Sequence, residues 1–245
     1  MLAPRPEALL RVWEEQHAAH PVQRALSVLA ACSPGHGWQA WAQARVGARD
    51  AALLALHEAL FGPALHTTAS CERCGERLES SFTVRDICSA RAAPPEPPST
   101  LTLHEGEFEI DYRLPSSEDL LLVDAEDAAA ATAQLLQRCV LRARRGGSEL
   151  QAPTLPPPLA ERGAAAMAAD DPEADIRVAL ACPACGAAQE RVFDIVSYLW
   201  GELDDWAQRL LVDVHRLASA YGWSEADILA LSPARRRLYL DMVGA

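Results

Sequence analysis

Cys71-Glu72-Arg73-Cys74-Gly75 and Cys182-Pro183-Ala184-Cys185-Gly186 are the two stretches that decide how this chain is read. From the first cysteine of each, the second follows at three residues, a glycine at four, a phenylalanine at eleven and a β-branched residue at thirteen. Those positions are Cys74, Gly75, Phe82 and Val84 in one copy and Cys185, Gly186, Phe193 and Ile195 in the other. An alternating stretch leads into each pair, Leu65-His66-Thr67-Thr68-Ala69 and Ile176-Arg177-Val178-Ala179-Leu180. A CxxCG turn between short strands is the pattern of a zinc knuckle, in which the glycine relieves the tight backbone and two thiolates face one ion. Tetrahedral zinc takes four ligands, so the two knuckles are expected to share one Zn2+ through Cys71, Cys74, Cys182 and Cys185. The segment between them is then an insertion. Ribbon pairs are usually about 15–20 residues apart, so the internal repeat carries this reading, not the spacing. Two metal-free alternatives are reduced cysteine pairs without a role and a redox dithiol. The latter belongs at a helix start after a strand, whereas here a glycine and another apparent strand follow each pair.

Composition sets the outer limits. The chain has 245 residues, half of them apolar, with arginine as its only long cationic side chain and a formal net charge of −12. That length supports a substantial core. The acidic balance argues against nucleic acid or an anionic membrane as a partner, because both need a basic face. No stretch approaches the roughly 18 uninterrupted apolar residues of a membrane span, and Met1-Leu2-Ala3-Pro4-Arg5-Pro6 leads into no signal-peptide core. Seven cysteines, four of them in metal-type pairs, fit a reducing compartment better than a disulfide framework. A soluble, cytoplasmic protein is expected. Cys32 and Cys139 fall on apolar helix faces and are expected to be buried, and with Cys88 they lie outside the metal set.

The fold class predicted is α+β: helical N- and C-terminal parts around a split CxxC…CxxC zinc ribbon, with a β-hairpin and helices inserted. Residues 1–63 form an N-terminal helical segment, with helices at 7–17, 21–32 and about 50–60. Residues 64–91 are the first knuckle half, its outgoing strand running from Leu78 to Val84. Residues 92–158 are the insertion, bounded by proline-rich linkers at 92–99 and around Pro153 and Pro156-Pro157-Pro158. Within it, Glu107 to Leu114 alternates as a half-buried strand pairing with Leu101–Leu103. Ser116 or Ser117 caps a helix, and a longer helix covers about 125–144 until Gly146-Gly147 ends it. Residues 159–193 are the second knuckle half. In residues 194–245, Leu199, Leu203, Trp206, Leu210, Val214, Leu217 and Tyr221 trace one long amphipathic helix, stopped by Gly222. Two short helices follow, capped by Ser224 and by Ser232-Pro233.

No catalytic constellation is legible. The histidines are scattered without a nucleophile partner, and no glycine-rich phosphate loop occurs. His66 could replace a cysteine on the ion, but four thiolates already fill a tetrahedron and leave no open position for catalysis. The last two helices have helix-turn-helix lengths and carry Arg235-Arg236-Arg237, yet Asp204, Asp205, Asp213, Glu225 and Asp227 surround them with negative charge.

Several of these stretches together carry a resemblance: Asp50 to Leu56 ending at Phe61-Gly62, the first knuckle, and Arg113-Leu114-Pro115-Ser116-Ser117-Glu118-Asp119-Leu120. With them go the second knuckle running into Phe193-Asp194-Ile195 and Leu199-Trp200, then Tyr221 to Leu229, and Leu231-Ser232-Pro233 to Leu240. From about residue 49 onward the chain resembles the T-even-phage-type baseplate hub assembly chaperones of contractile-tail phages and bacterial contractile injection systems. The resemblance implies an accessory protein that helps assemble a baseplate hub without catalysis, with hub or spike proteins as partners and no small-molecule substrate. A permanent structural baseplate subunit and a zinc-ribbon nucleic-acid-binding or regulatory protein are the alternatives. Tyr221, Trp223, Arg236, Arg237 and Tyr239 are the expected partner-binding residues, because aromatics and arginine dominate interface hot spots.

Overall fold

The computed structural model of the chain describes residues 6–88, 93–96, 99–125, 127–150 and 155–244. Residues 92, 97 and 98 of the first expected linker, Pro153 of the second, and Met1 to Arg5 lie outside the described residues. Helix occupies 55% and strand 20% of the structure, in separate runs rather than in alternation, which makes the fold α+β.

The N-terminal part is α1 (Pro6–Gln16), α2 (Pro21–Cys32), α3 (Trp38–Gln43) and α4 (Val46–Phe61). His20 caps α2, accepting from the Val22 amide, while the Gln23 side chain accepts from His20 in return. Helix α4 starts four residues before the sequence-based boundary, and α3 occupies a stretch for which no helix is expected from the sequence. Helix α4 departs from pattern because it is buried on nearly every side, including Arg49, Asp50 and His57, so it shows no amphipathic stripe; α3, at six residues, is too short to show one. The first hairpin follows, β1 (Ala64–Ser70) and β2 (Arg77–Thr83), and then the short α5 (Val84–Ile87). Val84 therefore opens a helical turn instead of closing the strand. Asp86 accepts from both the amide and the hydroxyl of Thr83 at 2.7 Å and turns the chain there.

The insertion is an antiparallel meander of β3 (Thr100–Glu105), β4 (Phe108–Arg113), β5 (Val140–Arg145) and β6 (Ser148–Glu149), with α6 (Ser117–Leu121) and α7 (Ala128–Cys139) between β4 and β5. The helix expected over 125–144 is thus corrected: it ends at Cys139, and 140–145 is a strand. Strand β4 lies inside the sheet, paired with β3 on one side and β5 on the other, and Arg144 and Arg145 meet Glu109 and Glu107 across the β4–β5 pairing. Gly146 and Gly147, at φ of 56° and 83°, make a hairpin turn rather than a helix stop. The second expected linker is corrected too, since Pro157–Asp170 is α8. Its prolines sit at the helix start, where the missing amide costs nothing. Leu159, Gly163 and Met167 form its buried face.

A single 3-10 turn (Pro172–Ala174) leads to the second hairpin, β7 (Arg177–Ala181) and β8 (Ala188–Val192). Then come α9 (Ile195–Tyr221), α10 (Glu225–Leu229) and α11 (Pro233–Val243). Helix α9, some 40 Å long at about 1.5 Å per residue, is the spine. Asp194 caps its start by accepting from Val196 N at 2.9 Å, and Gly222 closes it in the left-handed region at φ 72°. Its first half packs Ile195, Leu199 and Leu203 with Leu26, Leu29, Leu53, Leu54 and Leu65 in the main core. Its second half packs Leu210, Val214 and Leu217 with Ile228 and Leu229 of α10. No helix among the described residues is long and apolar enough to cross a membrane.

Candidate metal centre and its surroundings

The two CxxCG turns meet. Sγ atoms of Cys71, Cys74, Cys182 and Cys185 all lie within 4.8 Å of one another. The closest approaches cross between hairpins: Cys71 to Cys185 at 3.7 Å and Cys74 to Cys182 at 3.6 Å. None of the four is in a disulfide. In a tetrahedron of thiolates about 2.3 Å from a central ion, sulfurs stand about 3.8 Å apart, so the site has the size of a four-thiolate metal centre.

Local hydrogen bonds show why each turn presents two thiols. Cys71 N donates to Glu76 O at 2.8 Å and Gly75 N donates to Cys71 O at 2.9 Å. The second turn repeats both bonds, Cys182 N to Ala187 O and Gly186 N to Cys182 O, each at 2.9 Å. Gly75 and Gly186 take φ of 76° and 70°, a region that a side chain would strain. The repeat extends outward: the equivalent Phe82 and Phe193 meet edge to face, centroids 5.5 Å apart. The first cysteine of each pair is buried, whereas Cys74 is exposed and Cys185 half-buried. Between hairpins, Arg191 donates to Glu72 at 2.7 Å and to Ser70 O at 2.8 Å.

The amides of Cys74 and Arg73 point at Cys71 and bring its thiol down to about 7. The Glu76 amide pulls Cys74 the same way, but the crowding thiols of Cys185, Cys182 and Cys71 push it up to about 12. Four thiols at this spacing cannot all ionise without a cation among them. His66, the reserve ligand, stays outside the cluster, its Nδ1 2.8 Å from Ser81 Oγ across the hairpin. Its amide donates to Tyr198 Oη at 3.0 Å and ties the hairpin to α9. Cys32 and Cys139 are buried as expected, and burial pushes their thiols up to about 12 and about 11.

A second polar centre is not legible from the cysteine pattern. Where α4, α6 and the 3-10 turn converge, Asp171 Oδ2 accepts from Gly47 N at 2.9 Å and its other oxygen pairs with Arg45. Arg49 donates to Asp50 at 2.7 Å and to Ser117 at 3.2 Å, all three residues being buried. Asp119 takes both prongs of Arg113, at 2.6 and 2.8 Å, together with the amide and hydroxyl of Ser116. The insertion meets the N-terminal helices beside these buried charges, through the Arg49–Ser117 bond and the Val46 amide donating to Pro115 O at 2.9 Å. The visible signals were Arg49-Asp50 inside an apolar helix and the Ser116-to-Asp119 capping box.

The expected partner-binding residues divide. Tyr221 and Trp223 stack with centroids 4.6 Å apart, and Tyr239 closes on both edge to face. Arg237 is exposed, but Arg236 is buried at 7% exposure against α9. Comparison of the chain with known protein families, with curated proteins and with solved structures finds no match.

Proposed function

We propose that the chain is a non-enzymatic assembly factor for the baseplate hub of a contractile particle, built around one structural Zn2+. The observation that carries the metal is the crossed four-thiol cluster at tetrahedral spacing. Zinc suits it because four thiolates select a soft, tetrahedral ion, and full ligation leaves no position for a reacting water. The two hairpins then form one zinc ribbon split by the insertion. The ion supplies a cross-link, and the residues around it do the rest: the amides orient the thiolates, and Phe82 and Phe193 anchor the hairpins in the core.

The assembly role rests on the resemblance of the Asp50, Arg113–Leu120, second-knuckle and Tyr221–Leu240 stretches to the baseplate hub chaperones. Asp50 and Ser117 of two such stretches join the same buried network through Arg49. The acidic charge and the tail's aromatic cluster favour protein over nucleic acid as partner. Co-expression with the sheath, tube, spike and hub proteins of its own host tests the reading. Co-purification of hub or spike with the chain, and absence of the chain from finished particles, is the expected result. Its presence in finished particles identifies a permanent baseplate subunit instead, and failure to bind any tail protein removes the reading.

A further inference from the structure

Between α9 and α11 lies an open groove of about 530 Å3, lined by Trp206, Arg209, Leu210, Val212, Asp213 and Arg236. Arg236 is 93% buried, yet its Nη1 has no hydrogen-bond partner among the described residues. A buried guanidinium without an anion is costly, because a desolvated charge must be paired to be tolerated. Asp213 is the carboxylate whose charge it feels, but no ion pair forms between them. Every other strongly buried ionic side chain here has its counter-charge: Arg49 has Asp50, Asp119 has Arg113, Asp171 has Arg45. Arg236 also sits in the first turns of α11, whose dipole favours an anion.

We infer that this groove is a binding site for a side-chain carboxylate of an acidic segment on a partner protein, with Arg236 as its buried anchor and Arg209 at its rim. Arg209 and Arg236 against Asp213 leave one positive charge, which a monoanionic carboxylate balances and a phosphate dianion overshoots. The guanidinium fork matches a carboxylate in two hydrogen bonds. The apolar walls suit a peptide more than a free ion: Trp206 is half-buried and Val212 is 57% exposed. The inference deepens the assembly reading and depends on it only for which protein supplies the acidic segment.

Fluorescein-labelled hexaglutamate, titrated into the full-length chain by anisotropy at low salt, tests the site. The chain is expected to bind it. Arg236→Met should weaken binding tenfold or more and Asp213→Asn should strengthen it several-fold. Arg162→Gln, on the exposed side of α8, should leave it within twofold. Because Arg236 lacks a partner in the free protein, Arg236→Met should also keep its melting temperature. Equal binding by Arg236→Met, or no binding by the native chain, overturns the site. So does displacement of the peptide by inorganic phosphate at equal charge, which would make the groove a general anion site. A large drop in melting temperature for Arg236→Met would show that Arg236 is a structural tie to Asp213. Glutamate binding without co-purification of any hub protein keeps the groove and removes the assembly reading; the reverse keeps assembly and removes the groove.

Discussion

At the scale of single residues, the strongest commitments are buried charges. Asp119 is almost wholly enclosed, and burial pushes its carboxyl up. The Arg113 fork and the Ser116 donors outweigh that and hold it far below the usual carboxylate range. Since its folded pKa is lower than its unfolded one, its contribution is complete above the unfolded value near about 4 and fades as pH falls through the folded one. Asp119→Asn should cost about 3–5 kcal/mol at pH 7, the usual cost of breaking a buried pair. The gap from the native protein should narrow by pH 3; urea titrations at both pH values check it. Gly47 is constrained differently. A Cβ there would stand 2.7 Å from Asp171 Cγ, inside contact distance of a side chain that is itself buried. Gly47→Ala should therefore destabilise by about 1–3 kcal/mol through overcrowding, although alanine is the better helix former. A neutral or stabilising result in the same titration would show that Asp171 moves aside freely. Sequence displayed Asp119 in its capping box, but nothing around Gly47 announced Asp171, because the two meet only through tertiary packing across more than a hundred residues.

At the scale of elements, what was legible depended on how many faces an element buries. Helix α9 exposes one side and showed its stripe from Leu199 to Leu217 and its Gly222 stop. The CxxCG hairpins were legible from chemistry, since few backbones bring two cysteines and a left-handed glycine together. Strand β5 was hidden because Leu135, Leu136, Cys139 and Val140 continue a helical period across a boundary that β4 and its carboxylates enforce. Helix α8 was hidden by its opening prolines and alanine-rich face. Helix α4 conceals a further consequence. His57 is 1% exposed, with its ring against Tyr198 of α9 at 5.4 Å. Burial lowers its pKa, only partly offset by Glu202 and Glu58. The unfolded chain thus takes up the proton first, and stability contributed by neutral His57 is lost as pH falls below the ordinary value near about 6.5. Between pH 7.5 and 5 the native protein should lose stability, by at most about 1.4 kcal/mol per pH unit from this group. His57→Phe should flatten that slope in thermal melts; an unchanged slope would place the acid sensitivity elsewhere.

At the scale of the whole molecule, the cysteine cluster joins two hairpins whose bases belong to one core. Leu65 and Val84 at the first hairpin pack with Phe193 and Ile195 at the second, and all four lie with Leu26, Leu53 and Leu199. The tips are held differently, by a small apolar cluster of Leu78, Leu180 and Ala187 around the sulfurs and by the Arg191 bonds to Glu72 and Ser70. An ion there closes a loop between cysteines 114 residues apart, and its binding energy becomes folding energy. Closing a loop of that length stabilises by about 5 kcal/mol in the chain-entropy account, which for a chain of this size is worth about 10–20 °C of melting temperature. Cys182→Ser should lower the melting temperature by about that much. It should melt in a single transition, because the hairpin bases and the helices share their core. Elemental analysis should give one zinc per native chain and less in the variant. Phe82→Ala, which leaves all four thiols in place, should keep the zinc while still losing stability. Two separate melting transitions in Cys182→Ser would mean that the hairpins fold apart from the helices. An unchanged melting temperature, with zinc still bound, would mean that the two cysteine pairs do not share a metal.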